Sequence, residues 1–114
     1  MAPRIFKKYN KLVRDKIPEI IKANGDSCAT KILGQEEYVK ALDEKLNEEL
    51  AEYQESKSLE ELADMLEVMM AIAKAKGYEW SAVMKLQEQK RESRGGFDDR
   101  VFLEMACVPY VKKD

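Results

Sequence analysis

The chain has 114 residues, and its 20 Lys and Arg against 22 Asp and Glu leave a net charge of −2, so no bulk charge points to a nucleic-acid polymer or a membrane surface as partner. It contains no histidine, which excludes imidazole as a catalytic base and His-built zinc sites and leaves carboxylates with hard metals such as Mg2+ or Mn2+. Cys28 and Cys107 lack C-x-x-C spacing and read as reduced, buried small side chains, and no stretch has the apolar length of a signal peptide or membrane span, so a soluble cytoplasmic location is the expectation.

A chain of this length makes one domain, 1–114, whose small core a second copy would help to bury, so a homo-oligomer is expected. Its first 14 residues are basic and without periodicity, which predicts extended chain or loop. Asp15 can cap a short helix over Lys16–Asn24, with Pro18 tolerated in the first turn and Gly25 ending it. Cys28–Leu33, with β-branched Thr30 and Ile32, predicts a short strand. Val39, Leu42, Leu46, Leu50 and Tyr53 then recur at three and four and predict a long helix from about Gln35 to Glu55.

After the short connection Ser56-Lys57-Ser58, a second long helix is predicted over about Leu59–Lys76, its apolar arc formed by Leu62, Met65, Leu66, Val68, Met69, Ile72 and Ala73. A third, about Glu79–Ser93, carries Trp80, Val83 and Leu86 on a loose stripe and ends in basic residues before Gly95-Gly96. Arg100–Val108 reads as a second strand, able to pair with the first. The predicted fold is therefore mainly α, an antiparallel helical bundle with a small two-stranded β element, the bundle completed by oligomerisation.

Charge is distributed unevenly: residues 1–16 hold six basic groups and one acid, whereas residues 36–67 hold twelve acids and three bases. Within the acidic stretch Glu49 and Glu52 stand three apart on one helix, and Glu61 and Asp64 stand three apart on the next. Residues at i and i+3 share a helical face, and a short turn makes the two helices antiparallel neighbours, so four carboxylates can point into one space. Without a counter-ion they would raise one another's pKa, whereas a divalent metal turns repulsion into ligation. Glu49 borders the apolar stripe, Glu52 lies just outside it, and Glu61 projects within the arc of its helix. Two other readings fit the same spacing. Ser58-Leu59-Glu60-Glu61 matches a capping box in which Glu61 bonds back to the Ser58 backbone, and in a chain with 37% charged residues such pairs also occur as solvated helix surface.

The pattern Glu48-Glu49-x-x-Glu52 followed by Glu61-x-x-Asp64 resembles the signature of the all-α nucleoside triphosphate pyrophosphohydrolases of the MazG and phosphoribosyl-ATP pyrophosphohydrolase type. Tyr9-Asn10-Lys11-Leu12-Val13-Arg14-Asp15-Lys16-Ile17-Pro18 and Arg94-Gly95-Gly96-Phe97 are similar to the phosphoribosyl-ATP pyrophosphohydrolase-like subgroup, so the resemblance spans nearly the whole chain. The connection between the carboxylate pairs is shorter than in many MazG proteins. The resemblance implies Mg2+, or Mn2+, held by Glu49, Glu52, Glu61 and Asp64, with Glu48 or Glu52 orienting or deprotonating a water. It also implies a homodimer or dimer of dimers.

Lys11, Arg14 and Lys16, and Lys90, Arg91 and Arg94, are the candidate phosphate contacts, and Gly95-Gly96 permits close approach of backbone to phosphate oxygens. Helix-terminal Lys and Arg also complement a helix dipole without binding any ligand. Tyr53 and Trp80 suit either stacking on a base or core packing. The function expected is Mg2+-dependent hydrolysis of a nucleoside triphosphate or related nucleotide to the monophosphate and pyrophosphate, as in removal of unwanted nucleotides from the pool. The alternatives are a non-catalytic, metal-dependent nucleotide-binding or regulatory module and a structural helical module with an acidic docking face.

Overall fold

A computed structural model describes residues 5–109, which contain four helices: α1 (Ile17–Ala23), α2 (Gln35–Ser56), α3 (Leu59–Ala75) and α4 (Trp80–Arg94). The chain divides into two compact units, Met1–Trp80 and Ser81–Asp114. No helix among the described residues is long and apolar enough to cross a membrane. Of the basic segment at the start, residues 5–14 are irregular, and the expectation for residues 1–4 lies outside the described residues.

Helix α1 keeps Pro18 in its first turn, where the missing N–H costs no helical bond, and ends as Asp26 N–H reaches back to Ile21 O across the left-handed Gly25. Asp15 does not cap it. The N-cap residue is Lys16, whose backbone is already helical (φ −90°, ψ −2°), whereas side-chain capping needs an extended residue there. Cys28 is half-buried with its Sγ 4.0 Å from Pro18 O, and Cys107 is exposed rather than buried.

The two expected strands are not formed: neither Cys28–Leu33 nor Arg100–Val108 belongs to a ladder among the described residues. β-branched residues supply a preference, but a strand also needs a partner and a packed face. Ile32, Val101, Phe102 and Leu103 all lie exposed.

Helices α2 and α3 form an antiparallel hairpin, the one packed helix pair among the described residues. At its open end Gln35 Nε2 donates to Ala75 O at 2.9 Å. At its closed end only Lys57 and Ser58 connect the helices, with Lys57 left-handed (φ 57°) and its N–H bonded to Tyr53 O at 2.7 Å. The inner face of α2 is centred on Leu42, 3% exposed, and includes Leu46, Glu49 and Tyr53, while Leu50 is turned outward. That centre is rotated by about 40° from the mean of the apolar stripe, which puts Glu49 only about 20° from it. From α3 the opposing face offers Glu61, Asp64, Met65, Val68 and Ile72.

Leu42, Val68 and Ala73 are the buried apolar side chains of the described residues. The opposite face of α3, Leu59, Leu62, Leu66, Met69 and Met70, is exposed, with Leu62 and Leu66 at 49% and 48%. In the second unit α4 buries no residue and ends at left-handed Gly95, whose N–H bonds Arg91 O at 2.8 Å. Truncation at Leu42 removes the most enclosed apolar side chain, so Leu42→Ala is expected to cost about 2–5 kcal/mol in urea unfolding, and Leu50→Ala on the outward flank less than half as much.

Candidate metal centre

Near the closed end of the hairpin, carboxylate oxygens of Glu49, Glu61 and Asp64 all lie within 4.8 Å of one another. Glu49 comes from the penultimate turns of α2, while Glu61 and Asp64 come from the first two turns of α3. The two-residue connection brings these turns side by side, and the i,i+3 spacing sets Glu61 and Asp64 one above the other. Glu49 is 5% exposed. Its Oε1 is 3.3 Å from Lys45 Nζ, and its Oε2 is buried with no hydrogen-bond partner among the described residues. A buried carboxylate oxygen without a donor is costly, and a cation shared with Glu61 and Asp64 would satisfy it. The residues therefore fit a divalent metal of the oxygen-seeking kind.

Three of the four expected ligands are thus brought together. Glu52, the fourth, is exposed at the edge of the cluster, where it faces both Glu49 and Glu61. Glu61 does not form a capping box: the Ser58 N–H that it would accept from donates instead to Ser56 Oγ at 3.3 Å, and the Ser58 side chain makes no cap bond. Glu48 is turned to cations, with Lys11 Nζ at 3.0 Å and Lys45 Nζ at 3.4 Å. Arg14 Nη2 donates to Asp64 Oδ1 at 2.7 Å. Lys16 stands exposed at the start of α1 and pairs with no described residue.

Lys90, Arg94, Gly95 and Gly96 belong to the second unit and are exposed. There it is Arg91 that makes the ion pair, 3.5 Å to Asp98, and its guanidinium lies against Gly96, 2.7 Å from where a Cβ would stand. Lys45 is the site residue that sequence reasoning missed. Its signal was present in the i,i+4 relation to Glu49 and the i,i+3 relation to Glu48.

The electrostatics follow the geometry. Burial holds the Glu49 carboxyl above its ordinary value, with Lys45 opposing and Glu52 adding to the rise. Glu61 is also raised, by loss of solvent and by the nearby charges of Asp64 and Glu49. Burial alone would raise Glu48 too, but the bonds and charges of Lys11 and Lys45 outweigh it and hold Glu48 below the usual range. Lys11 is raised, chiefly by its bond to Glu48.

A carboxyl raised in the folded state stabilises relative to the unfolded chain only while both are protonated. For Glu49 that contribution is complete below the unfolded value, about pH 4, and is lost as pH rises through the folded value. Ionised Glu49 therefore costs stability at neutral pH. In buffer with chelator at pH 7, Glu49→Gln is expected to melt a few degrees above wild type, the shift that about 1 kcal/mol gives a domain of this size. The gap should close as the pH is lowered to about 4. A variant that melts below wild type at pH 7 would show that Lys45 already compensates the charge.

No family model matches the chain, and no solved structure matches it. A 41-residue stretch, 36% of this chain, is 54% identical to part of an uncharacterized protein of Mycolicibacterium smegmatis (strain ATCC 700084 / mc(2)155), and spans 42% of that protein's length.

Proposed function

We propose that the chain is a divalent-metal-dependent nucleotide pyrophosphohydrolase of the MazG-like, phosphoribosyl-ATP pyrophosphohydrolase-like kind, converting a nucleoside triphosphate or related nucleotide to the monophosphate and pyrophosphate. The observation that carries this reading is the unpartnered, buried Oε2 of Glu49 beside Glu61 and Asp64. Five carboxylates, Glu48, Glu49, Glu52, Glu61 and Asp64, face three cations, Lys11, Arg14 and Lys45, an excess of two negative charges. One Mg2+ or Mn2+ balances that excess. Docking on a basic partner protein would satisfy exposed acids, but not an oxygen enclosed between two helices.

Glu49, Glu61 and Asp64 would hold the metal, with Glu52 closing the set from the edge. When bound, the metal supplies neutralisation of polyphosphate charge and acidifies water near it. Between the two candidate bases, Glu52 suits proton removal better than Glu48. Lys11 and Lys45 occupy Glu48 and hold its carboxyl low, which makes it a weak base, whereas Glu52 is solvent-accessible and faces the cluster. Glu48 then serves to place Lys45 and Lys11. Lys and Arg side chains would offset charge on the departing pyrophosphate.

The same reading includes a homo-oligomer. Helix α3 is apolar on two opposite faces, one against α2 and one bearing Leu59, Leu62, Leu66 and Met69 in the open. A helix apolar on both sides belongs inside a bundle, and a second copy presenting the same face completes it by two-fold pairing.

With Mg2+, purified protein is expected to release pyrophosphate from at least one member of a nucleotide panel, and Glu61→Gln or Asp64→Asn to slow that release by about 100-fold. Release at wild-type rate in both variants would remove this site from the reaction. Sedimentation should find a dimer or tetramer, and Leu66→Glu should shift it to monomer.

A further inference from the structure

Lys11 and Arg14 do not stand free at the N-terminal end. They reach across 37 and 50 residues of sequence to Glu48 and Asp64, one beside the carboxylate cluster and the other inside it. Residues 9–13 have no backbone hydrogen bond to α2 or α3 among the described residues, so side chains attach this segment to the hairpin. Asn10 turns the chain in the left-handed region (φ 45°), and the Tyr9 ring has Lys7 Nζ at 5.0 Å and Lys11 Nζ at 5.8 Å from its centre. Leu12 is half-buried between the two ion-paired residues.

Both ion pairs are single contacts and partly open to water, with the Arg14 and Asp64 side chains 54% and 36% exposed. Pairs in that setting contribute little and exchange readily. They are also connected to the buried carboxylate. Lys45 is shared between Glu49 at 3.3 Å and Glu48 at 3.4 Å, and Glu48 is shared between Lys45 and Lys11. Neutralising Glu49 frees Lys45 to serve Glu48 alone, which weakens the hold of Glu48 on Lys11. Neutralising Asp64 does the same to Arg14 directly.

We propose, resting on the metal-site reading above, that Lys11 and Arg14 are exchangeable counter-ions: a divalent cation on the cluster releases them from Glu48 and Asp64, and a polyphosphate takes them up. Each positive charge passes from a carboxylate to a phosphate oxygen, so neither Lys11 nor Arg14 is left without a partner when both ligands are present. Divalent cation and polyphosphate then bind with positive coupling that runs through residues 9–16, and the coupling is reciprocal. The guanidinium of Arg14 suits the transfer because its planar fork matches phosphate as well as carboxylate.

The experiment is calorimetric titration of Mn2+, and of inorganic tripolyphosphate in excess Mn2+, into wild type and Lys11→Ala/Arg14→Ala. The double variant should bind Mn2+ alone at least as tightly as wild type, and tripolyphosphate about 10-fold or more weakly. In wild type, tryptic cleavage after Lys11 and Arg14 should quicken on adding Mn2+, as the two side chains come free, and slow again on adding tripolyphosphate. A double variant that loses Mn2+ affinity would overturn the exchange, because Arg14 would then be orienting Asp64 for the metal. Unchanged tripolyphosphate binding, or cleavage rates that ignore both ligands, would also overturn it. Wild type that binds no Mn2+ would overturn the metal site itself, an outcome distinct from these.

Discussion

The contact between α2 and α3 encloses Glu49, and a carboxylate withdrawn from water has to be stabilised by whatever is brought to it. Lys45 brings one positive charge from the preceding turn and is half committed to Glu48. Glu61 and Asp64 bring further negative charge from the facing helix. The remaining arrangement can be understood as compensation for that enclosure. Lys11 attends Glu48, Arg14 attends Asp64, and the two pairs anchor a segment that has no backbone hydrogen bond to either helix among the described residues. Removing the acid would make the hairpin more ordinary, and this is the usual relation between a strained polar site and the stability of its scaffold.

The hairpin also shows why α3 cannot be satisfied by α2 alone. Its inner face is partly given over to Glu61 and Asp64, so the apolar contact with α2 is thin, with Leu42 and Val68 the enclosed side chains across it. The outer stripe, Leu59, Leu62, Leu66 and Met69, is exposed among the described residues. A bundle completed by a second copy would bury that stripe, and the acidic inner face would then be held on a scaffold whose main hydrophobic contribution comes from the other side.

Much of this was legible in the residues. Helical spacing located α2 and α3 to within a residue or so, because Leu42, Leu46 and Tyr53, and Val68 and Ile72, repeat at the helical period and Gly77 and the Ser-Lys-Ser turn punctuate it. The same spacing selected Glu61 and Asp64. The depth of Glu49 was less legible, since a helical wheel weights every apolar residue alike, while Leu50 faces outward and so shifts the true centre towards the acid. Lys11 and Arg14 were recognisable as cations but not as partners of Glu48 and Asp64, because pairs 37 and 50 residues apart leave no periodic trace. The segments at 28–33 and 100–108 have strand-like composition, and composition cannot say whether a ladder partner is within reach.

The connection of Lys57 and Ser58 has a consequence for how this chain can vary over time. Eight residues separate Glu52 from Glu61, six of them in helical turns, and a helix advances about 100° per residue. One residue gained or lost within those turns would swing Glu61 a quarter turn or more away from Glu49. Side chains here can be exchanged with little effect on the backbone, but the length cannot. The interval works as a fixed gauge: lineages descended from this chain should accumulate substitutions across it and place their insertions elsewhere.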